Sequence, residues 1–306
     1  MFITRRQFTA ASAFMAVRRL SAAEPALRFP TAPRQRLAIA SYSLRTMLAS
    51  PRRSVDAGAA GPRMDIKDFP AYVVKRFDVR NVEILGQHLR STDATYLGEF
   101  RQALTAAGVR VINIPTSVGA SLYDPDAARR ALAVENSKKW IDAAVALECP
   151  SVRIHIQRAG NVPPDVERTA ETLLTIAQYG ASKSVAINLE NDDLFTEDAF
   201  FIAKVIDQVK SPWLHALPDF CNSMLKGDEK FNYEAVKAMF ARAYNISHLK
   251  DSEVENGKVF RVDLARTFQI AQAAGYKGYF SVEFEGEGDA VTGTEKLIAE
   301  ALKYLT

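Results

Sequence analysis

Eight short apolar runs, rich in β-branched residues, punctuate the chain: Leu37–Tyr42, Val82–Leu85, Val109–Ile114, Ser151–Ile156, Val185–Glu190, Leu214–Asp219, Ile246–Lys250 and Tyr279–Phe284. Runs of four to six residues that are apolar on both faces fit strands of a parallel sheet covered on both sides. Amphipathic segments with recognisable ends separate them. Ser91-Thr92-Asp93 opens one whose stripe is Tyr96, Leu97, Phe100 and Leu104, closed by Gly108. Pro163-Pro164-Asp165 and Thr196-Glu197-Asp198 open two more, Leu264–Ala274 is a fourth ended by Gly275, and Glu295–Leu305 closes the chain. Strand–helix alternation repeated eight times predicts an α/β fold, a single (β/α)8 barrel over residues 37–306. An open doubly wound sheet is disfavoured, because no Gly-rich phosphate turn follows any run.

The net charge of +3 is unevenly placed. Residues 1–23 hold Arg5, Arg6, Arg18 and Arg19 and no acid, which leaves 35 basic against 36 acidic side chains in the body. A near-neutral body argues against a nucleic-acid partner. Thr4-Arg5-Arg6-Gln7-Phe8, followed by a weakly apolar stretch and the small residues Ser21 and Ala23, resembles a twin-arginine export signal. The expectation is cleavage near Ala23, the twin-arginine export machinery as a partner, and a periplasmic or otherwise extracytoplasmic destination. No Cys lies near that point and no apolar run reaches the ~18 residues of a membrane span, so no stable membrane anchor is expected. Residues 24–36 are Pro-rich and charged and read as an extended linker.

In such a barrel the chemistry sits at the C-terminal ends of the strands. The later runs end on Glu190, Asp219, His248 and Glu283, which are 29, 29 and 35 residues apart, one strand–helix unit each. A carboxylate at the end of an apolar strand is costly unless it is paired or holds a cation. Three carboxylates and an imidazole make a hard, oxygen-rich set that suits Mn²⁺ first, with Mg²⁺, Co²⁺ and Zn²⁺ as the other choices for one divalent cation. Each residue also has a plainer reading: a loop acid, a turn residue after Pro218, a core histidine, or the alternate of Glu285. Their matched positions in four successive units favour the site.

Leu189-Glu190-Asn191, Pro218-Asp219, His248-Leu249-Lys250-Asp251 and Ser281-Val282-Glu283 carry a resemblance. Over about residues 37–305 the chain resembles the sugar phosphate isomerase/epimerase superfamily, the xylose isomerase-like TIM barrels. The resemblance implies that Glu190, Asp219, His248 and Glu283 hold the metal. It implies a sugar isomerase or epimerase, with a keto-sugar or related carbohydrate as substrate and proton transfer through a metal-stabilised enediolate. Glu190 and Glu283 are then the catalytic pair of bases, one removing and one returning the proton. Sugar 3-epimerases of this kind often carry a His three residues after the strand-six Asp, where this chain has Asn222, which leaves the substrate class open.

Lys250, two residues beyond His248, and Asn222, His155, Tyr42 and Glu83 at other strand ends are the candidate substrate-binding groups. The loop Thr46–Met64, with Arg52, Arg53 and Arg63, follows the first run on the active face and has the length of a lid. Competing functions are a lyase or dehydratase on a keto-sugar or inositol derivative, and a non-catalytic sugar-binding barrel. DNA hydrolysis, known on this barrel in apurinic endonucleases, is disfavoured because it uses a His-rich zinc cluster and only His88, His155, His215 and His248 exist here. Cys149 falls at the barrel bottom and Cys221 at the top, so both are expected as free thiols. Oligomeric state is left open between monomer and homo-oligomer.

Overall fold

The computed structural model describes residues 24–49 and 63–305. The expected export signal and most of the long loop after the first strand, with Arg52 and Arg53, lie outside the described residues. Eight parallel strands form the barrel: β1 (Leu37–Ala40), β2 (Asn81–Glu83), β3 (Arg110–Ser117), β4 (Ser151–His155), β5 (Ala186–Glu190), β6 (Leu214–Leu217), β7 (Ile246–Leu249) and, after a two-stranded insertion, β10 (Tyr279–Val282). They pair in the order β6-β5-β4-β3-β2-β1-β10-β7. The last seam, between β6 and β7, has no continuous ladder. It closes through isolated parallel bridges, Ala216 with Ala243 and Asp219 with His248, the second marked by a His248 N–H to Pro218 C=O bond of 2.9 Å.

Around the barrel lie α1 (Phe69–Phe77), α2 (Ala94–Ala107), α3 (Ala127–Ala146), α4 (Val166–Lys183), α5 (Ala199–Val209), α6 (Glu229–Phe240), α7 (Leu264–Ala273) and α8 (Ala290–Ala301). From α2 onward every helix starts on an aspartate whose carboxylate accepts a backbone N–H of the first turn: Asp93, Asp126, Asp165, Asp198, Asp228, Asp263 and Asp289. Such caps satisfy donors that the helix itself cannot, each contributing about 1 kcal/mol. Asp289 also corrects the expected last helix: it begins at Ala290 rather than Glu295.

One element was not expected. Beyond β7 the chain makes an antiparallel hairpin of β8 (Ser252–Glu255) and β9 (Lys258–Arg261) before reaching α7. Its turn is Asn256-Gly257, both at positive φ (52° and 74°), the backbone that two-residue hairpin loops demand.

Residues 24–31 carry no regular secondary structure, Pro33–Arg36 form a short 3-10 helix where an extended linker was expected, and the segment is laid against the barrel floor. Phe29 packs edge-on to Tyr244 and Tyr279, and the Tyr244 hydroxyl donates to Pro25 C=O at 2.7 Å. Cys149 lies near the base of β4 and Cys221 beyond β6 at the opposite end, and both are buried and free.

Between barrel and helices the core is aromatic around Phe268 of α7, whose ring lies 5.0 Å from Phe280, 5.5 Å from Phe220 and 5.4 Å from Tyr304. Phe268 is 1% exposed, so its truncation leaves a cavity that close-packed neighbours cannot fill. Phe268→Ala is expected to cost about 3–5 kcal/mol, read as a lowered midpoint in urea denaturation.

Candidate active site

The strand ends deliver four side chains to one buried point. Glu190 closes β5, Asp219 lies two residues past β6, His248 is within β7 and Glu283 directly follows β10. One ligand atom from each falls within 4.8 Å of all the others, and all four are buried. His248 Nδ1 lies 2.8 Å from Glu190 Oε1, 3.1 Å from Glu283 Oε2 and 3.9 Å from Asp219 Oδ2.

The orientation of that imidazole is set from below. Asn113 Oδ1 accepts from the Ser151 hydroxyl at 2.6 Å, so the Asn113 amide nitrogen is free to donate to Glu83 Oε1 at 2.7 Å. Glu83 Oε2 accepts from the Ser281 hydroxyl at 2.7 Å and faces His248 Nε2 at 2.9 Å. Against the pull of burial, His248 and these donors hold the Glu83 carboxyl below the usual range, so it is an acceptor and Nε2 carries the proton. With a cation in the cluster, Nδ1 would give up its own proton and offer its lone pair there. Carboxylate–histidine pairs orient metal ligands in this way. Glu83 was expected to touch a sugar hydroxyl. It does line the cavity, and both its oxygens also take protein donors, so it positions His248.

The cluster is short of positive charge. Burial, with Glu190 and Glu283 alongside, pushes the Asp219 carboxyl up to about 7, although Lys250 opposes the shift. Burial also raises Glu190 against His248 and Arg153. The His248 imidazolium, which burial alone would discharge, is held well above its ordinary value by Glu190, Glu283 and Glu83. One Asp219 oxygen accepts backbone N–H bonds from Cys221 (2.7 Å) and Asn222 (2.6 Å), while the other, Oδ2, is buried with no hydrogen bond, 3.6 Å from Lys250 Nζ. An orphaned carboxylate oxygen, two further carboxylates and an imidazole lone pair are the donor set that a hard divalent cation takes. The residues present fit such an ion.

A cavity of about 320 Å³ opens over the cluster, with Tyr42, Asn222 and Lys250 also in its wall. Lys250 is 1% exposed, and its ammonium faces Asn222 Oδ1 (2.9 Å), Glu253 (2.8 Å) and Glu285. Its nearest acids are two glutamates of the wall, one on the unexpected hairpin, with Asp219 and Glu283 each 3.6 Å away. Glu285 takes Lys250 while Glu283 joins the cluster, which resolves the alternation between them. Asn222 bridges Lys250 to Glu190, donating to Glu190 Oε1 at 3.3 Å. Burial and the nearby Glu285 push the Tyr42 phenol up to about 12.

Two important charges escaped the sequence reading. Arg153, in the middle of β4, sets its Nε 3.2 Å from Glu190 Oε2 and reaches Asp192 and Glu197 at 2.8 Å each. Glu197 was read only as part of a helix cap, yet it is fully buried. The signal was an arginine inside an apolar run, which needs buried acids to pair with it. His155 is not one of the four-residue cluster and pairs with Glu197 Oε2 at 2.7 Å.

Although burial works against its charge, Asp192 and Glu197 raise the His155 pKa to about 9. A base whose folded pKa exceeds its unfolded value of 6.5 contributes stability that is complete below that value and lost as pH rises through about 9. The contribution is bounded at about 3 kcal/mol. Urea denaturation at pH 6.5 and pH 9.5 is expected to show this loss in the wild type and a smaller one in His155→Gln.

The family model described as xylose isomerase-like TIM barrel matches residues 72–306. No curated protein sequence matches the chain. Among solved structures, a xylose isomerase-like TIM barrel protein from Mycobacterium smegmatis in complex with magnesium has a TM-score of 0.67 at 14% identity, covering 88% of this chain and 96% of that one. D-allulose 3-epimerase from Methylomonas sp. in complex with D-allulose has a TM-score of 0.64 at 16% identity, covering 91% and 98%. The 3-keto-D-glucoside 4-epimerase of E. coli has a TM-score of 0.63 at 12% identity, covering 87% and 98%. With eight parallel strands, strand-end acids and a model match over most of its length, the chain belongs to the xylose isomerase-like TIM barrel family.

Proposed function

We propose that the protein is a sugar epimerase or aldose–ketose isomerase that depends on a divalent cation and moves a proton on the carbon next to a carbonyl. The observation that carries this reading is the convergence of Glu190, Asp219, His248 and Glu283 within 4.8 Å around the unbonded Asp219 Oδ2. The magnesium complex and the epimerases among similar structures support it. When bound, the cation supplies the positive charge that makes such a C–H bond acidic. Mn²⁺ remains the first choice on donor chemistry, with Mg²⁺ next.

Glu190 and Glu283 are the acid–base pair. Arg153 and Asn222 hold the Glu190 carboxylate from two sides, so it receives a proton without turning. Glu283, entering as the carboxylic acid, delivers its own proton to the same carbon from the other face, which inverts it, or Glu190 hands the abstracted proton to the neighbouring carbon, which moves the carbonyl. The two share one cluster and titrate together, so the direction of transfer is a property of the pair. Tyr42, held neutral, is a hydroxyl donor at the cavity wall. The same proposal takes residues 1–23 as an export leader, supported by Arg5-Arg6 and the small residues at 21–23.

In deuterated buffer with Mn²⁺, a panel of keto-sugars is expected to acquire deuterium next to the carbonyl. Glu283→Gln is expected to slow this at least about 100-fold, the scale of general acid–base catalysis. Metal analysis is expected to find one ion per wild-type chain and loss of it in the Glu190→Gln, Asp219→Asn double variant; full retention there would remove the assigned centre. Residues 1–23 fused to a reporter are expected to carry it to the periplasm, and Arg5→Lys with Arg6→Lys to block it.

A further inference from the structure

Beside the main cavity lies a second lobe of about 210 Å³. The two adjoin: Gln87, Arg153 and Asp192 line both. At about 30 Å³ per water-sized volume, the main cavity holds roughly ten such volumes. One hexose with its hydroxyls fits within that volume, and the lobe is further space beside it.

Its lining has the character of a carbohydrate platform. The indole of Trp140, on α3, borders it. Only a glycine permits the placement of that ring, since a Cβ on Gly86 would come within 2.7 Å of Trp140 Cη2 and 3.0 Å of Cζ3. Opposite stand Arg153, His155 and Asp192, with Ser117 at the rim. Their charges balance: Arg153 and His155 are met by Asp192 and Glu197 at 2.7–3.5 Å. Asp192, Glu197 and His155 have the composition of a metal site, but one Arg153 terminal nitrogen already lies 2.8 Å from both carboxylates and supplies the cation. A balanced cluster calls for neither an anion nor a metal. Side-chain oxygens and N–H groups beside a half-buried aromatic ring fit a neutral, hydroxylated ring.

We propose that this lobe is a second sugar subsite, and that the substrate is a glycoside or disaccharide whose reacting ring sits over the Glu190–Glu283 cluster while its second ring lies against Trp140. The inference rests on the sugar-processing reading above and narrows it. When the two rings are joined through the reacting sugar's anomeric carbon, that sugar has no open-chain form and its carbonyl is a ring ketone. Proton transfer then inverts a ring carbon and gives an epimerase.

Binding tests the subsite without turnover. Trp140 and Trp213 are the two tryptophans, and Trp213 is buried away from the lobe. Titration of the wild type with cellobiose, lactose and maltose is expected to change tryptophan emission, and calorimetric titration, which serves the tryptophan variant as well, to give affinities about tenfold above those of glucose and galactose. Trp140→Ala, and independently Gly86→Ala, are expected to reduce that preference about fivefold to tenfold. Equal affinity for mono- and disaccharides in the wild type, absence of disaccharide binding, or a preference that survives Trp140→Ala overturns the proposal. Deuterium exchange on a keto-disaccharide and its parent keto-sugar separates the two claims. Exchange on neither, with disaccharide preference intact, overturns proton transfer and leaves the subsite standing. Exchange on both with equal kcat/KM overturns the subsite and leaves proton transfer standing.

Discussion

Crowded negative charge governs the architecture of the barrel mouth. Glu83, Glu190, Asp192, Glu197, Asp219, Glu253, Glu283 and Glu285 all line or underlie a single cavity, against the fixed cations Arg153 and Lys250 and the imidazolium of His155. Buried carboxylates persist only when something of opposite charge is close. Nature has divided the load here. Arg153 serves the acids following β5, Lys250 serves those of the hairpin and of β10, and the remaining deficit lies between Glu190, Asp219, His248 and Glu283. The chemistry is assigned to that deficit because every other charge around it already has a partner.

The layer beneath gives the site its directionality. A hydroxyl on β4 fixes an amide on β3, the amide fixes a carboxylate on β2, and the carboxylate fixes the imidazole of β7. Asn113 Oδ1 takes donors from Ser151 and Asn188, which turns its amide nitrogen to Glu83, and Glu83 in turn holds Nε2–H of His248. Hydrogen-bond networks of this sort are rigid because a reversal at one point leaves a buried group unpaired at another.

Much of this was legible in the chain. The eight runs became the eight barrel strands, because strands buried on both faces announce themselves as continuous apolar segments. The four cluster residues were legible because a charged residue at the end of such a segment stands out. What escaped has a physical reason in each case. The hairpin at Ser252–Arg261 is half-exposed and charged, so it lacks the apolar signature, and only Asn256-Gly257 betrays it. Arg153 and Glu197 lie 44 residues apart and pair only once β4 and the loop before α5 are adjacent in space. Glu83 sits at a strand end like the others, and its role as a support for His248 depends on Asn113 and Ser281, which no spacing connects to it.

The seam between β6 and β7 closes the barrel with almost no ladder, and one of its two bridges joins Asp219 to His248. Those residues carry two of the four groups that face the cluster. A ligand that engaged Asp219 and His248 together would tie both lips of the seam with the sparsest pairing, and would stabilise the closed barrel by as much as it favours that state.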